Sequence, residues 1–310
     1  MTEESQDWRK GKSWAHLMLS IPIFLVQAVL YTIFDVLEMI LRRPKKITGQ
    51  TVVVTGAAQG IGRQMARLLA LEHGAFVILL DINDEKVAKT AVELESDGGA
   101  CTHYSCDVSS PEDMQRVAAL IYSDLSIDSV DILVCNAGVF HKGGIQDLAT
   151  EDIRRTIDID LLGCFWSIRA FLPAMTEAKH GQLVCISSVA GHYSEQGVSA
   201  YSAAKFGIRG LMESIEYEML DKRTNVTCTT VYPYFTDTKL VQRCRPTSDW
   251  FDLLSQEECA RYALQGILLE KTEYFCPSYL NFFCYFVKSA LTYRTRILTR
   301  RCFGIKFMGE

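Results

Sequence analysis

The run Thr51-Val52-Val53-Val54-Thr55 passes straight into Gly56-Ala57-Ala58-Gln59-Gly60-Ile61-Gly62, and an amphipathic stretch follows. Glycines at this spacing ask for a strand that turns sharply into a helix. One permits the tight turn, one lets backbone N–H groups approach a pyrophosphate, and one lets helix and strand pack closely. The helix that begins there points the positive end of its dipole at the phosphates. Gly56, Gly60, Ile61 and Gly62 are therefore candidate cofactor contacts. Nineteen residues beyond Gly62 stands Asp81, closing a second apolar run. A carboxylate there accepts hydrogen bonds from the adenosine ribose hydroxyls and repels a 2′-phosphate. No Arg or Lys lies in the glycine loop before Gly62 to offset that repulsion. NAD is expected rather than NADP.

Short β-rich runs then recur with helix-like stretches between them, as a βαβ series requires. Strands are expected at 51–55, 76–80, 101–106, 132–135, 182–187, 226–231 and 274–277, and helices include 60–72, 83–96 and 111–125. The strands are near-continuously apolar, which implies a parallel sheet covered on both faces. The fold expected is α/β: a single doubly wound Rossmann-type domain over 49–277, with about seven parallel strands.

The chain has 310 residues, 48% hydrophobic and 22% charged, enough to build a packed core. A net charge of −5 gives no sign of a nucleic-acid partner. Its 11 cysteines include no C-x-x-C pair, so no metal site is expected. Cys106, Cys135, Cys185 and Cys228 sit inside apolar runs, where a thiol acts as a small hydrophobe.

The ends differ from the middle. Residues 13–34 contain no Asp, Glu, Lys or Arg. As a helix these 22 residues span about 33 Å, enough to cross a hydrocarbon core. The segment 1–46 is expected to be a membrane anchor, and Pro22 and Gln27 leave a bent, monotopic insertion open. The basic cluster Arg42-Arg43-Pro44-Lys45-Lys46 favours a domain facing the cytosol. Residues 278–310 combine aromatic residues from Tyr279 onward with Lys288, Arg294, Arg296, Arg300, Arg301 and Lys306, a pattern suited to an anionic membrane surface.

Tyr201 and Lys205 stand four apart, on one face of a helix. A free phenol titrates near pH 10 and is a poor base at neutrality. A nearby ammonium, with the positive charge of an oxidised nicotinamide, is expected to lower that value. Tyr201 can then take a proton from an alcohol or return it to a carbonyl. Ser188, expected at the end of the fifth strand, can hydrogen-bond the reacting oxygen, and Lys205 can also hold the nicotinamide ribose.

With these motifs in order, the chain resembles the short-chain dehydrogenase/reductase family over about 49–277. The residues that carry the resemblance are Thr55–Gly62, Asp81, Cys106-Asp107-Val108, Asn136-Ala137-Gly138, Ile186-Ser187-Ser188, Tyr201 with Lys205, and Pro233 to Thr238. The resemblance implies adenine contact by Asp107 and Val108, support of the central strands by Asn136, Ala137 and Gly138, and a grip on the carboxamide by Pro233, Thr236 and Thr238. Within the family, the apolar N-terminus, the segments 170–175 and 188–192 and the basic tail look like the branch of the epidermal retinol and lipid-droplet 17-beta-hydroxysteroid dehydrogenases. That branch implies hydrophobic alcohol substrates, a setting at the endoplasmic reticulum membrane or lipid-droplet surface, and a homodimer. Two residues depart from the family pattern. Asp160 stands where Asn is usual, a residue that bends its helix and whose carbonyl holds a relay water. Tyr234 replaces a glycine after Pro233. Phe140, Tyr234, Phe235, Trp250 and Phe251 are candidates for an apolar pocket. The leading expectation is an oxidoreductase moving hydride between NAD(H) and a lipid alcohol or carbonyl. The alternative, kept open by Asp160, is an NAD-binding scaffold with little turnover.

Overall fold

The computed structural model describes residues 14–242, 246–247, 253–289, 292–295, 297–298 and 306–307. The chain divides into two compact units, with the break between Pro44 and Lys45. In the first, α1 (Trp14–Leu41) is a helix of 28 residues, about 42 Å long at about 1.5 Å per residue. Its side chains from Ile21 to Phe34 are nearly all exposed, among them Phe24 at 66% and Phe34 at 70%. An apolar surface of that extent is costly in water.

The second unit alternates strand and helix: β1 (Thr51–Thr55), α2 (Gly60–Leu71), β2 (Phe76–Asp81), α3 (Asp84–Ser96), β3 (Ala100–Ser105), α4 (Pro111–Leu125) and β4 (Ile132–Cys135). Next come α5 (Thr150–Thr156), a π-helical turn (Ile157–Leu162), α6 (Gly163–Ala178), β5 (Gly181–Ile186), a 3-10 turn (Val189–Gly191), α7 (Ser199–Asp221) and β6 (Val226–Pro233). The remainder is α8 (Lys239–Gln242), β7 (Pro246–Thr247), α9 (Gln256–Leu268), β8 (Glu273–Cys276), α10 (Leu280–Ser289) and β9 (Lys306–Phe307).

Seven strands form one parallel sheet in the order β3-β2-β1-β4-β5-β6-β8. Strand periodicity sends alternate side chains to opposite faces. Val52 and Val54 join Met65, Leu69, Leu264 and Ile267 in one core, while Val53 joins Met114, Ile121 and Phe171 in the other. The domain is thus doubly wound, as the continuous apolar strands imply. The strand order reverses between β1 and β4, which opens a crevice at the carboxyl ends of the strands. The stretch 150–178 is also long and apolar. Its Cys164, Ile168, Phe171 and Met175 are buried in the second core, which accounts for that composition.

Local signals set the helix ends. The Asn83 side chain accepts from Lys86 N–H at 2.9 Å, and Ser110 accepts from Asp113 N–H at 3.1 Å. Ser255 and Glu258 form a reciprocal capping box on α9. Small differences from expectation lie at strand ends. β5 stops at Ile186, because Ser188 already caps the 3-10 turn. β6 runs on to Pro233, which pairs with Cys276 of β8. Part of the expected membrane-surface tail is helix α10, and β9 pairs antiparallel with β7. Of the expected tail, residues 290–291, 296, 299–305 and 308–310, Arg296, Arg300 and Arg301 among them, lie outside the described residues.

Candidate active site

The glycine turn leaves no room for a side chain at Gly56 or Gly62. A Cβ on Gly56 would lie 2.8 Å from Ala137 Cα, and one on Gly62 would lie 2.3 Å from both Asn136 Nδ2 and Gly56 O. Gly60 has open space but a φ of +63°, a left-handed conformation that favours glycine. Asn136 locks the turn from β4. Its Nδ2 donates to Thr55 O at 2.9 Å, and its backbone N–H donates to Thr55 Oγ1 at 2.9 Å. Asp81 joins in, with Oδ2 accepting from Ala58 N–H at 3.0 Å and Oδ1 from Asn83 N–H at 3.0 Å. A glycine turn packed tightly on Asn136 and Ala137, open to the cleft at Gly60 and flanked by a carboxylate, fits the pyrophosphate and ribose of a dinucleotide.

One cleft of about 850 Å³ gathers the designated residues. Gly56, Gly60, Ile61 and Asp81 line its first part, with Asp107, Val108, Asn136, Ala137 and Gly138 beside them. Asp160, Ser188, Tyr201, Lys205, Pro233, Thr236 and Thr238 line it further along. Gly62 does not line the cleft; its role is packing beneath the turn. Phe140, Tyr234 and Phe235 line the cleft as well, whereas Trp250 and Phe251 lie outside the described residues. His192 points away into a buried aromatic group, its ring 4.4 Å from that of Tyr232.

Tyr201 and Lys205 occupy successive turns of α7. The Lys205 Nζ is 5.3 Å from the Tyr201 ring centroid, and Ser188 lines the same cleft. Lys205 is buried. Its ammonium donates to Ile186 O at 3.2 Å and pairs with Asp160 Oδ2 at 3.2 Å. Asp160 is fully buried in the π-helical turn, where its other oxygen accepts from Val139 N–H at 2.7 Å. Such turns interrupt the regular ladder and recur at functional sites. The Asp160 backbone carbonyl accepts from the Cys164 thiol at 3.4 Å.

These contacts set the electrostatics. Burial would depress the Lys205 ammonium, but Asp160 and Tyr201 outweigh it and hold its pKa above the ordinary range. Burial raises the Asp160 carboxyl against the opposing pull of Lys205. The Tyr201 phenol differs from expectation. Burial pushes it up, Lys205 and Ser188 pull it down, Asp160 pushes it up again, and the net direction in the protein alone is upward. The lowering expected from Lys205 is outweighed first by burial of the phenol, with the Asp160 carboxylate adding to it.

Sequence reasoning missed several neighbours. The Phe140 ring packs edge-on to Tyr201 at 4.9 Å, and Ser187 Oγ donates to Lys205 O at 2.9 Å. Ser187 stands beside Ser188 in the motif already noted, and Phe140 was expected as an apolar wall of the pocket but not against Tyr201. Arg63, Lys86 and Lys89 line the cleft near Asp81, although Arg63 is paired with Glu93. Arg63 lies on α2, and Lys86 and Lys89 lie on α3, the helix after β2. Cys135, Cys164 and Cys185 bring their sulfurs within 4.8 Å of one another. They come from β4, α6 and β5 and lie in the second hydrophobic core, where they pack as apolar side chains.

A doubly wound sheet with a glycine-lined dinucleotide cradle at its switch point defines the class: a nicotinamide-dependent oxidoreductase acting on CH–OH groups. The sequence pattern described as "short chain dehydrogenase" matches residues 50–249, and the chain belongs to that family. It is 33% identical over 294 residues to epidermal retinol dehydrogenase 2 of Mus musculus, covering 93% of each chain. It is 30% identical over 272 residues to 17-beta-hydroxysteroid dehydrogenase 13 of Homo sapiens, covering 86% of this chain and 88% of that protein. Its fold matches that of a short chain dehydrogenase/reductase from Burkholderia phymatum solved in complex with NAD. The TM-score is 0.70 at 21% identity, over 77% of this chain and 93% of the other.

Proposed function

We propose that the protein interconverts a hydrophobic alcohol and its carbonyl, with a retinoid, steroid or other lipid as substrate, NAD(H) as cofactor and Tyr201 as acid/base. The observation that carries this reading is the meeting of Ser188, Tyr201 and Lys205 in the same cleft as the glycine turn. The nicotinamide, when bound, supplies or accepts the hydride. The chain's own residues orient and move a proton. Gly56, Gly60, Ile61 and Gly62 form the cradle for the pyrophosphate, Asp81 holds the ribose, and Asp107 and Val108 flank the adenine. Asn136, Ala137 and Gly138 fix the floor, while Pro233, Thr236 and Thr238 hold the carboxamide. Ser188 orients the substrate oxygen, and Tyr201 Oη exchanges the proton with it. Asp81 favours NAD over NADP, because both of its oxygens already hold the backbone of the cradle and a phosphate there would face that charge.

The apolar surface of α1 supports anchoring in a membrane, and Phe140, Tyr234 and Phe235 supply apolar walls for a lipid. The similarity to retinol and 17-beta-hydroxysteroid dehydrogenases supports the substrate class. We place the protein at the endoplasmic reticulum or lipid-droplet surface as a homodimer, its catalytic domain in the cytosol. The test is a panel of retinols, steroids and fatty alcohols with NAD and purified full-length protein. Turnover of at least one of them supports the reading. NADH binding without turnover of any would favour a scaffold instead.

A further inference from the structure

The ammonium beside the candidate acid/base is matched by a negative charge. Asp160 is anchored on the π-helical turn by its bond to Val139 N–H, and its second oxygen meets Lys205 Nζ at 3.2 Å. Gly138 leaves the space for this approach, since a Cβ there would stand 3.2 Å from Asp160 Oδ2. Lys205 has a second fixed partner in Ile186 O at 3.2 Å. The lysine therefore has a hydrogen-bond acceptor in Ile186 O and a charge partner in Asp160, so the carboxylate opposes its pull on the phenol.

We propose that Asp160 is a positioning and charge-balancing residue: by pairing with Lys205 it keeps Tyr201 in the protonated, proton-donating form at neutral pH. The inference rests on the reading of Tyr201 as proton carrier. In carbonyl reduction the carbonyl carbon accepts a hydride from NADH, which becomes NAD+, while the Oη–H bond of Tyr201 breaks and its proton passes to the substrate oxygen, giving the alcohol; solvent then returns a proton to the phenolate. Oxidation needs the phenolate at the outset. The ratio of the two rates at a given pH is set by the reaction's own equilibrium. What Asp160 sets is the pH range in which each form of Tyr201 is present.

The groups acting on Tyr201 come from each element packed on it. Lys205 lies one turn along α7, Asp160 comes from the π-helical turn, and the Ser188 hydroxyl comes from the end of β5. Lys205 is faced in addition by Cys164 of α6. Tyr193 and Glu195, before α7, line the same cleft. Burial and Asp160 together outweigh Lys205 and Ser188, and hold the phenol above its ordinary value.

The direct test needs no turnover. Full-length protein in detergent micelles, with tyrosines 13C-labelled at Cζ and the Tyr201 signal assigned by its loss in Tyr201→Phe, is titrated by NMR. In wild type Tyr201 should titrate above the ordinary value of about 10. Asp160→Asn keeps an acceptor for Val139 N–H but removes the charge. It should lower the Tyr201 midpoint by about one unit or more, giving about tenfold more phenolate at a fixed pH. The acid limb of the oxidation rate should move by the same amount, with NADH binding retained. An unchanged or higher midpoint in Asp160→Asn overturns the proposal, as does a wild-type midpoint below the ordinary phenol value. If Asp160→Asn does not fold, the titration is read in Asp160→Ser, which also removes the charge: a lowered midpoint supports the proposal and an unchanged one overturns it. Full turnover by Tyr201→Phe would instead defeat the functional reading, while the titration still reports what Asp160 does.

Discussion

A methyl group added at Gly62 would fall 2.3 Å from two atoms of the turn, whereas at Gly60 the nearest neighbour is 3.8 Å away. Gly62→Ala must therefore displace Asn136 or the turn itself, at about 1–3 kcal/mol. Gly60→Ala carries a backbone penalty of about 1–2 kcal/mol without a clash. Urea midpoints and NADH fluorescence titrations should show Gly62→Ala losing cofactor affinity more severely than Gly60→Ala; equal losses would contradict the packing role. Asp81→Ala should relax the preference for NAD over NADP, read from the two dissociation constants. An unchanged ratio would show that Lys86 and Lys89, which line the same part of the cleft, decide selectivity instead. At this scale the sequence was informative where residues act through their neighbours along the chain. The glycine turn and the Tyr201–Lys205 spacing are local patterns. The Asp160–Lys205 ion pair and the Phe140–Tyr201 contact join separate elements, and no spacing rule foretells them. The upward direction of the Tyr201 phenol in the protein alone comes first from burial, a property of the packed fold that no local pattern carries, and then from Asp160 in another segment.

Among elements, the seven strands of the main sheet were legible because each is a short apolar run between turn residues. Their ends shifted by a residue or two where a cap or a pairing partner decided the matter, as at Ser188 and Pro233. The π-helical turn was not legible from periodicity, since Ile157–Leu162 reads as part of an ordinary apolar helix. Helix α9 shows how a local signal supports tertiary packing. Its Ser255–Glu258 box fixes the start, and Arg261 then reaches Glu72 beyond α2 at 2.6 Å. Ser255→Ala removes one half of the box and should cost about 1 kcal/mol, measured by chemical denaturation. A change near zero would mean that burial of Cys259, Ala263 and Ile267 positions α9 unaided.

Across the molecule, the account divides labour between an apolar helix that meets lipid and a domain that performs chemistry. The full-length chain should stay with membranes through carbonate extraction, and the chain lacking residues 1–44 should be released in larger part. Retention of both forms to the same extent would place the membrane contact in the second unit, where Tyr279 and Phe282 on and beside α10 are exposed. The apolar helix was legible from composition alone, as a run of residues without Asp, Glu, Lys or Arg. The most direct test of the central claim is NADH formation from a lipid alcohol by membranes carrying wild type or Tyr201→Phe, at matched expression and matched NADH binding. The account predicts substrate-dependent NADH formation by wild type and a loss of about 10²-fold or more in the variant. Equal rates in the two would contradict it.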